Sequence, residues 1–274
     1  MAQLPTCQTL ILEKRAYRLY VTINRPEARN ALSDEVLQEF HQLFDAIESD
    51  RNIRVIILRG SEGVFCAGGD IKAFKESLQS SVPEDGSTDP VIASNRLFGS
   101  FLLRLNALPQ VVVGLIEGAA FGGGLGLVCV TDVSICMSNT KFALSETGLG
   151  IPPAQIAPFV VQRIGLTMTR NIALTGTRFT GREAHSMGLV HYLVDNAEAM
   201  DTQLNAVLND IGRCAPGANA ATKAILLQAE SAPLGDTLDE ASKLFASQLR
   251  SEEGQEGVKA FMEKRASSWT EKVE

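Results

Sequence analysis

The polar and apolar positions of the chain first suggest a β-hairpin, with Thr9 to Leu12 and Tyr17 to Ile23 rich in β-formers and the charged Glu13-Lys14-Arg15 between them. A helix is predicted from Ser33, a good N-cap followed by Asp34 and Glu35. Val36, Leu37, Phe40, Leu43, Phe44 and Ile47 recur at helical spacing and form one apolar face. Val55 to Leu58 is a wholly apolar run of the kind that parallel sheets bury. The order then repeats. A glycine-rich loop at Gly63 to Gly69 leads into a helix, and Ser80 to Pro90 reads as a loop. A further helix ends near Pro109, and Val111 to Ile116 is a second buried strand. A second glycine-rich loop opens a helix near Gly122, and Val133 to Met137 is a third strand. Strands alternating with helices predict an α/β architecture with a parallel sheet. From Pro158 the pattern is helical. Thr180-x-x-Glu183 is a capping box, Leu189 to Val194 is the last strand, and only helices follow Asp195. The expected organisation is therefore a core domain over 1–195 and a helical C-terminal region over 196–274.

Composition narrows this picture. The 274 residues are 45% hydrophobic and 21% charged, which suits one large core with a small appendage. A formal net charge of -7, mixed along the chain, argues against a nucleic-acid surface. Five cysteines stand singly, without a CxxC pair, as in a reducing cytoplasm, and no basic-then-apolar leader opens the chain. The longest apolar stretch, Val111 to Val130, is interrupted by six glycines and Glu117, so no membrane span is expected. The three histidines show no ligand spacing, and no metal site is expected.

Candidate chemistry concentrates in two turns, Phe65-Cys66-Ala67-Gly68-Gly69-Asp70-Ile71 and Gly118-Ala119-Ala120-Phe121-Gly122-Gly123-Gly124. Each follows a buried strand and precedes a helix. Glycine leaves backbone N–H groups accessible, and a helix N-terminus adds partial positive charge. Two such turns facing each other can donate to one developing oxyanion, whereas either alone is equally well explained as close packing. A dinucleotide-binding reading fails because Cys129 stands where the third glycine after Gly124 and Gly126 belongs. No serine occupies a G-x-S-x-G elbow. Asp70 reads most simply as a cap or first-turn anion.

These segments resemble the crotonase, or enoyl-CoA hydratase, superfamily. Asn24-Arg25-Pro26-Glu27-Ala28-Arg29-Asn30-Ala31-Leu32 resembles its first coenzyme-A segment, the two glycine turns its oxyanion loops, and Phe142-Ala143-Leu144-Ser145-Glu146 its catalytic-glutamate segment. Glu256 to Arg265 is similar to its C-terminal signature. The resemblance implies a ββα spiral with a helical trimerisation region, assembled as a trimer or dimer of trimers. It implies an oxyanion hole from the amides of Gly69 and Gly123, and acid/base chemistry at Glu146. Ala28, Ala31, Leu32, Ala67, Gly68, Asp70, Ile71 and Gly122 would line the acyl-CoA path. Arg25 and Lys264 occupy basic positions near the phosphates. Coenzyme A would be part of the substrate, with no separate cofactor.

Two departures refine the resemblance. Gly126 stands where two-carboxylate hydratases carry another glutamate. Gly150-Ile151-Pro152-Pro153-Ala154-Gln155 replaces a run of glycines. Both resemble the isohexenylglutaconyl-CoA hydratase branch of acyclic terpene degradation, as do Glu146 to Val160 and Cys214-Ala215-Pro216. The implied activity is that of a hydro-lyase adding water to an α,β-unsaturated acyl-CoA in the cytoplasm. An enoyl-CoA isomerase, methylglutaconyl-CoA hydratase, thioester hydrolase and non-catalytic CoA- or RNA-binding relative are the alternatives. Ser80 to Phe101 is expected to shape the acyl pocket. Lys72, Arg96 and Arg104 are candidate partners for a distal substrate carboxylate, and Gln155 for substrate or water.

Overall fold

The computed structural model describes residues 3–271 other than 71, 73, 74, 76–78, 80, 82 and 84–86. The hairpin forms from β1 (Leu10–Arg15) and β2 (Arg18–Ile23), paired antiparallel. The charged triplet expected to separate the strands instead belongs to β1. Its residues alternate between partly covered and exposed positions on an edge strand, where outward charges are tolerated. The reversal falls at Ala16, whose φ of 50° provides the turn.

Parallel strands β3 (Val55–Gly60), β4 (Val111–Ile116), β6 (Val133–Met137) and β9 (Tyr192–Val194) extend the hairpin to the order β1-β2-β3-β4-β6-β9. This sheet is covered on both faces. Ile56, Leu58, Val112 and Ile116 join a core with Phe40, Phe44 and Phe101. The alternate residues Val55, Ile57, Val113 and Leu115 pack with Met200, Leu204, Val207 and Leu208 on the other side. Continuous apolar strands are the sequence consequence of this double burial.

The first core face is closed by α1 (Asp34–Ile47) and α2 (Pro90–Ala107). Ser33 caps α1 by accepting from the Val36 amide. Buried Glu39 accepts from the amides of Thr9 and Leu10, tying α1 to the hairpin. The second face is closed by α6 (Ala197–Gly212). Between them in sequence lie α3 (Gly123–Cys129), α4 (Ala157–Thr175), which breaks at Gly165 with φ 75°, and α5 (Gly181–Ser186). Thr180 and Glu183 form the expected capping box. The helix expected after the first glycine turn lies largely outside the described residues.

A second sheet of three short strands was not anticipated: β5 (Ala119–Phe121), β7 (Lys141–Ala143) and β8 (Arg178–Thr180). Runs of three residues carry no usable periodicity, and their pairing depends on segments distant in sequence. The chain ends in α7 (Pro216–Ala229), α8 (Leu234–Arg250) and α9 (Glu252–Met262). Two cationic side chains anchor this region. Arg54 donates to the carbonyls of Gly212, Cys214 and Trp269. Lys223 meets Asp132 at 2.5 Å and donates to the Gln110 carbonyl.

Candidate active site

The site is assembled by loops clasped together through backbone bonds. Leu32 and Gly69 form an isolated parallel bridge, in which the Leu32 amide donates to the Gly68 carbonyl and the Asp70 amide to the Leu32 carbonyl. Those flanking groups complete the bridge, so the Gly69 N–H is turned away from Leu32. Cys66 bridges Ala120 in the same manner and draws the first glycine turn onto the second. Gly68 has φ 105°, and a Cβ there would stand 2.9 Å from the Phe121 carbonyl oxygen. Only glycine permits this approach.

The second turn ends at Gly122, with φ 47°, whose amide donates to the Ala143 carbonyl. Gly123 then opens α3, and its amide, in the first turn, has no intrahelical acceptor. A Cβ on Gly123 would lie 3.7 Å from the Gly68 carbonyl carbon, the atom bonded to the Gly69 nitrogen. The amides of Gly69 and Gly123 are thus neighbours on one cavity wall, and both residues line it. Two donors so placed can share one anionic oxygen.

Glu146 follows β7 and opens a short 3-10 turn ending at Leu149, anchored by the Thr147 hydroxyl on the Ala173 carbonyl. Its carboxylate reaches back over the second glycine turn. Oε1 lies 2.5 Å from where a Gly122 Cβ would be. Oε2 is buried without a hydrogen-bond partner among the described residues. Burial pushes the Glu146 pKa upward, although the backbone N–H groups of Glu146 and Ser145 oppose it. A half-buried carboxyl with one oxygen unpartnered among the described residues, near the Gly69 and Gly123 amides, is suited to proton exchange with something bound in the cavity.

That cavity measures about 150 Å³. Its floor is Gly69, Gly123 and Glu146. Leu32 and Leu37 line one side. Phe98, Asn95 and Ser94 of α2 face the segment Ile151 to Ile156 on the other. Phe98 lies 3.3 Å from the Cβ position of Gly123.

The coenzyme-A candidates fall into distinct groups. Ala31 and Leu32 are buried, Ala28 and Ala67 are partly exposed, and the Ala67 amide donates to the Arg29 carbonyl. Ile71 lies outside the described residues. Lys264 is exposed beyond α9 with φ 53°, and is not among the described cavity residues. Arg25 points inward, donating to the Ala31 carbonyl at 2.6 Å and the Asp70 carboxylate at 2.7 Å. Burial opposes the Asp70 charge, but the Arg25 guanidinium holds the carboxyl below its ordinary range. The pair braces the Leu32–Gly69 bridge from behind. Asp70 also accepts from the Lys72 amide, the cap expected of it.

Asn30, which the sequence pattern marks only as one residue of the Asn24 to Leu32 segment, is fully buried with φ 57°. Its side chain accepts from the Arg25 amide and donates to the Ser61 and Val64 carbonyls, stapling the two loops. An asparagine among loop residues tolerates positive φ, and that was the available signal. Gly126 is buried, and a Cβ there would meet Ile156 at 3.2 Å and Leu102 at 3.4 Å. The place of a second carboxylate is packed by the substituted segment itself. Of the candidate cations, Arg104 is held by Asp45 and Glu48, and Arg96 donates to Ser100. Neither they nor Lys72 is among the described cavity residues. No cluster of potential metal ligands occurs among the described residues, and no helix there is long and apolar enough to cross a membrane.

A mixed sheet with two clasped glycine turns and one carboxyl between them defines a crotonase-type α/β protein. The model of the enoyl-CoA hydratase/isomerase family matches residues 13–272, and the chain belongs to that family of acyl-CoA enzymes. Enoyl-CoA hydratase EchA19 of Mycobacterium tuberculosis is 31% identical over 98% of this chain and 99% of its own. Among solved structures, AtuE of Pseudomonas aeruginosa superposes with a TM-score of 0.91 and 47% identity, covering 96% of this chain and 100% of AtuE. An enoyl-CoA hydratase/isomerase from Marinobacter aquaeolei gives 0.92 and 45%, over 97% of this chain and all of that one.

Proposed function

We propose that the protein catalyses syn hydration of an α,β-unsaturated acyl-CoA, and that its substrate is a β-branched glutaconyl-CoA bearing an isohexenyl chain. The observation carrying this reading is one cavity bordered by two glycine amides and a carboxyl of raised pKa. In the proposed mechanism the Gly69 and Gly123 amides hold the thioester oxygen as the enolate forms. Losing one such donor typically costs about 3 kcal/mol. Glu146 takes a proton from water as the oxygen bonds to Cβ, and the π electrons move onto the thioester. The enolate then takes the proton at Cα from Glu146, which returns to its ionised form. The finer substrate assignment is supported by the branch-like run Glu146 to Val160 and by Ile156 packing at Gly126.

Turnover of crotonyl-, 3-enoyl-, 3-methylglutaconyl- and isohexenylglutaconyl-CoA in 18O-labelled water tests both levels. Label in an intact hydroxyacyl-CoA is the expected result. Double-bond migration without label would overturn hydration and favour the isomerase reading, which also needs just one carboxylate. The proposal includes a cytoplasmic trimer or dimer of trimers. Leu234, Leu238, Phe245 and Leu249 support it as an exposed apolar stripe along α8. Phe245→Asp is expected to shift the mass in light scattering towards a monomer, and an unchanged mass would remove that surface.

A further inference from the structure

The cavity wall formed by α2 and the Ile151 to Ile156 segment carries a pair of side-chain amides. Gln155 Nε2 donates to Asn95 Oδ1 at 3.0 Å. Gln155 Oε1 is seated against Gly99 of α2, with the amide carbon 2.9 Å from where a Gly99 Cβ would be. The Asn95 oxygen thus accepts from Gln155, and the Gln155 oxygen is turned towards Gly99. Three amide hydrogens stay available on this wall: the second Nε2 hydrogen of Gln155 and both Nδ2 hydrogens of Asn95. The Ser94 hydroxyl lies one residue away, and all three side chains border the cavity. A donor-rich wall favours a ligand that only accepts, and a carboxylate is the strongest such acceptor in an acyl chain. The described cavity residues include no lysine or arginine to compete for it. Three acids border it as well: Asp70 is matched by Arg25, Asp34 opens α1, and Glu146 lies over Gly122.

We infer that Asn95 and Gln155 form a subsite for a carboxylate on the acyl branch, so that the enzyme selects dicarboxylic over monocarboxylic acyl-CoA thioesters. The inference rests on the acyl-CoA reading above and deepens it. Gly99 is part of the device, because any side chain there would drive the Gln155 amide from its seat. Arg96, whose Nη1 lies 3.2 Å from the same Gly99 Cβ position, is the cationic group beside the two amides. The subsite is a specificity element and takes no part in bond making.

The test uses two unreactive saturated thioesters that differ by one carboxylate, 3-methylglutaryl-CoA and isovaleryl-CoA, titrated calorimetrically into the full-length protein. The wild type is expected to bind the dicarboxylic member about tenfold more tightly, as befits hydrogen bonds to a charged acceptor. Gln155→Leu, Asn95→Ala and Gly99→Ala are each expected to bring the ratio close to one while leaving isovaleryl-CoA affinity within about twofold. Absence of a wild-type preference, or a preference that survives all three substitutions, overturns the subsite. So does an equal loss for both thioesters, which would make the pair merely structural. Because neither thioester can be hydrated, failure here is distinct from failure of the hydratase reading, which the 18O experiment decides.

Discussion

The two sides of the cavity are built on different terms. The floor is backbone: Gly69 and Gly123 present amides, Gly68 and Gly122 adopt positive φ, and Glu146 rests on Gly122. The opposite wall is side chain: Phe98, Asn95, Gln155 and Ile156 meet across α2 and the Pro152–Ile156 segment. Backbone donors held by bridges cannot be exchanged by point substitution, so such a surface suits the constant step of a family, stabilising an enolate. Side chains can be exchanged one at a time, so the opposite wall suits what varies, the acyl group. On the proposed reading, reaction type and selectivity occupy separate pieces of chain.

Substitutions can break that division at graded cost. The largest effect is expected for Glu146→Gln, with kcat falling about a thousandfold, within the range for removal of a general acid/base, while saturated acyl-CoA binding persists. Its raised pKa also has a pH signature. In the proposed mechanism the first step uses the ionised carboxylate, so the acid limb of kcat/KM should lie above the ordinary glutamate value of 4.5. The folded-state pKa exceeds the unfolded one, so the folded protein binds the extra proton. Its stabilisation is full below pH 4.5 and is lost as pH rises through the folded pKa. Thermal melts across that window should show the decline in wild type and not in Glu146→Gln.

Next in size is Gly122→Ala. A Cβ at φ 47° would strike Glu146 Oε1, and kcat is expected to fall about a hundredfold, with a smaller change in KM. Near-normal kcat would mean that the carboxylate does not work from its observed position. A smaller effect is expected from Gly126→Ala, whose methyl must press on Ile156 and Leu102. Overpacking of this kind costs about 1–3 kcal/mol, lowering Tm by several degrees with little change in kcat. A stabilised variant would show that the Ile156 packing leaves usable space.

Much of this was legible in the chain. The α1 face was visible because burial at helical spacing leaves a periodic trace, and the central strands because double burial leaves unbroken apolar runs. The glycine turns were visible because glycine is the residue that positive φ and close backbone approach demand. The capping box at Thr180 and Glu183 is a local contact and was read locally. The charged end of β1 was misplaced because an edge strand accepts charges that a central strand would reject. The three-residue strands went unseen because their partners lie far off in sequence.

What the sequence determined by itself, then, was residue chemistry and local geometry: which segments are buried, where glycine is required, and that position 126 lacks a carboxylate. Tertiary structure alone decided what faces what. It brought Glu146 over Gly122, turned Arg25 inward onto Asp70, placed Ile156 against Gly126 and joined Gln155 to Asn95. The reason is physical. Periodicity and backbone preference act over a few residues and are written in them, whereas a contact between residues sixty apart depends on how every intervening element packs.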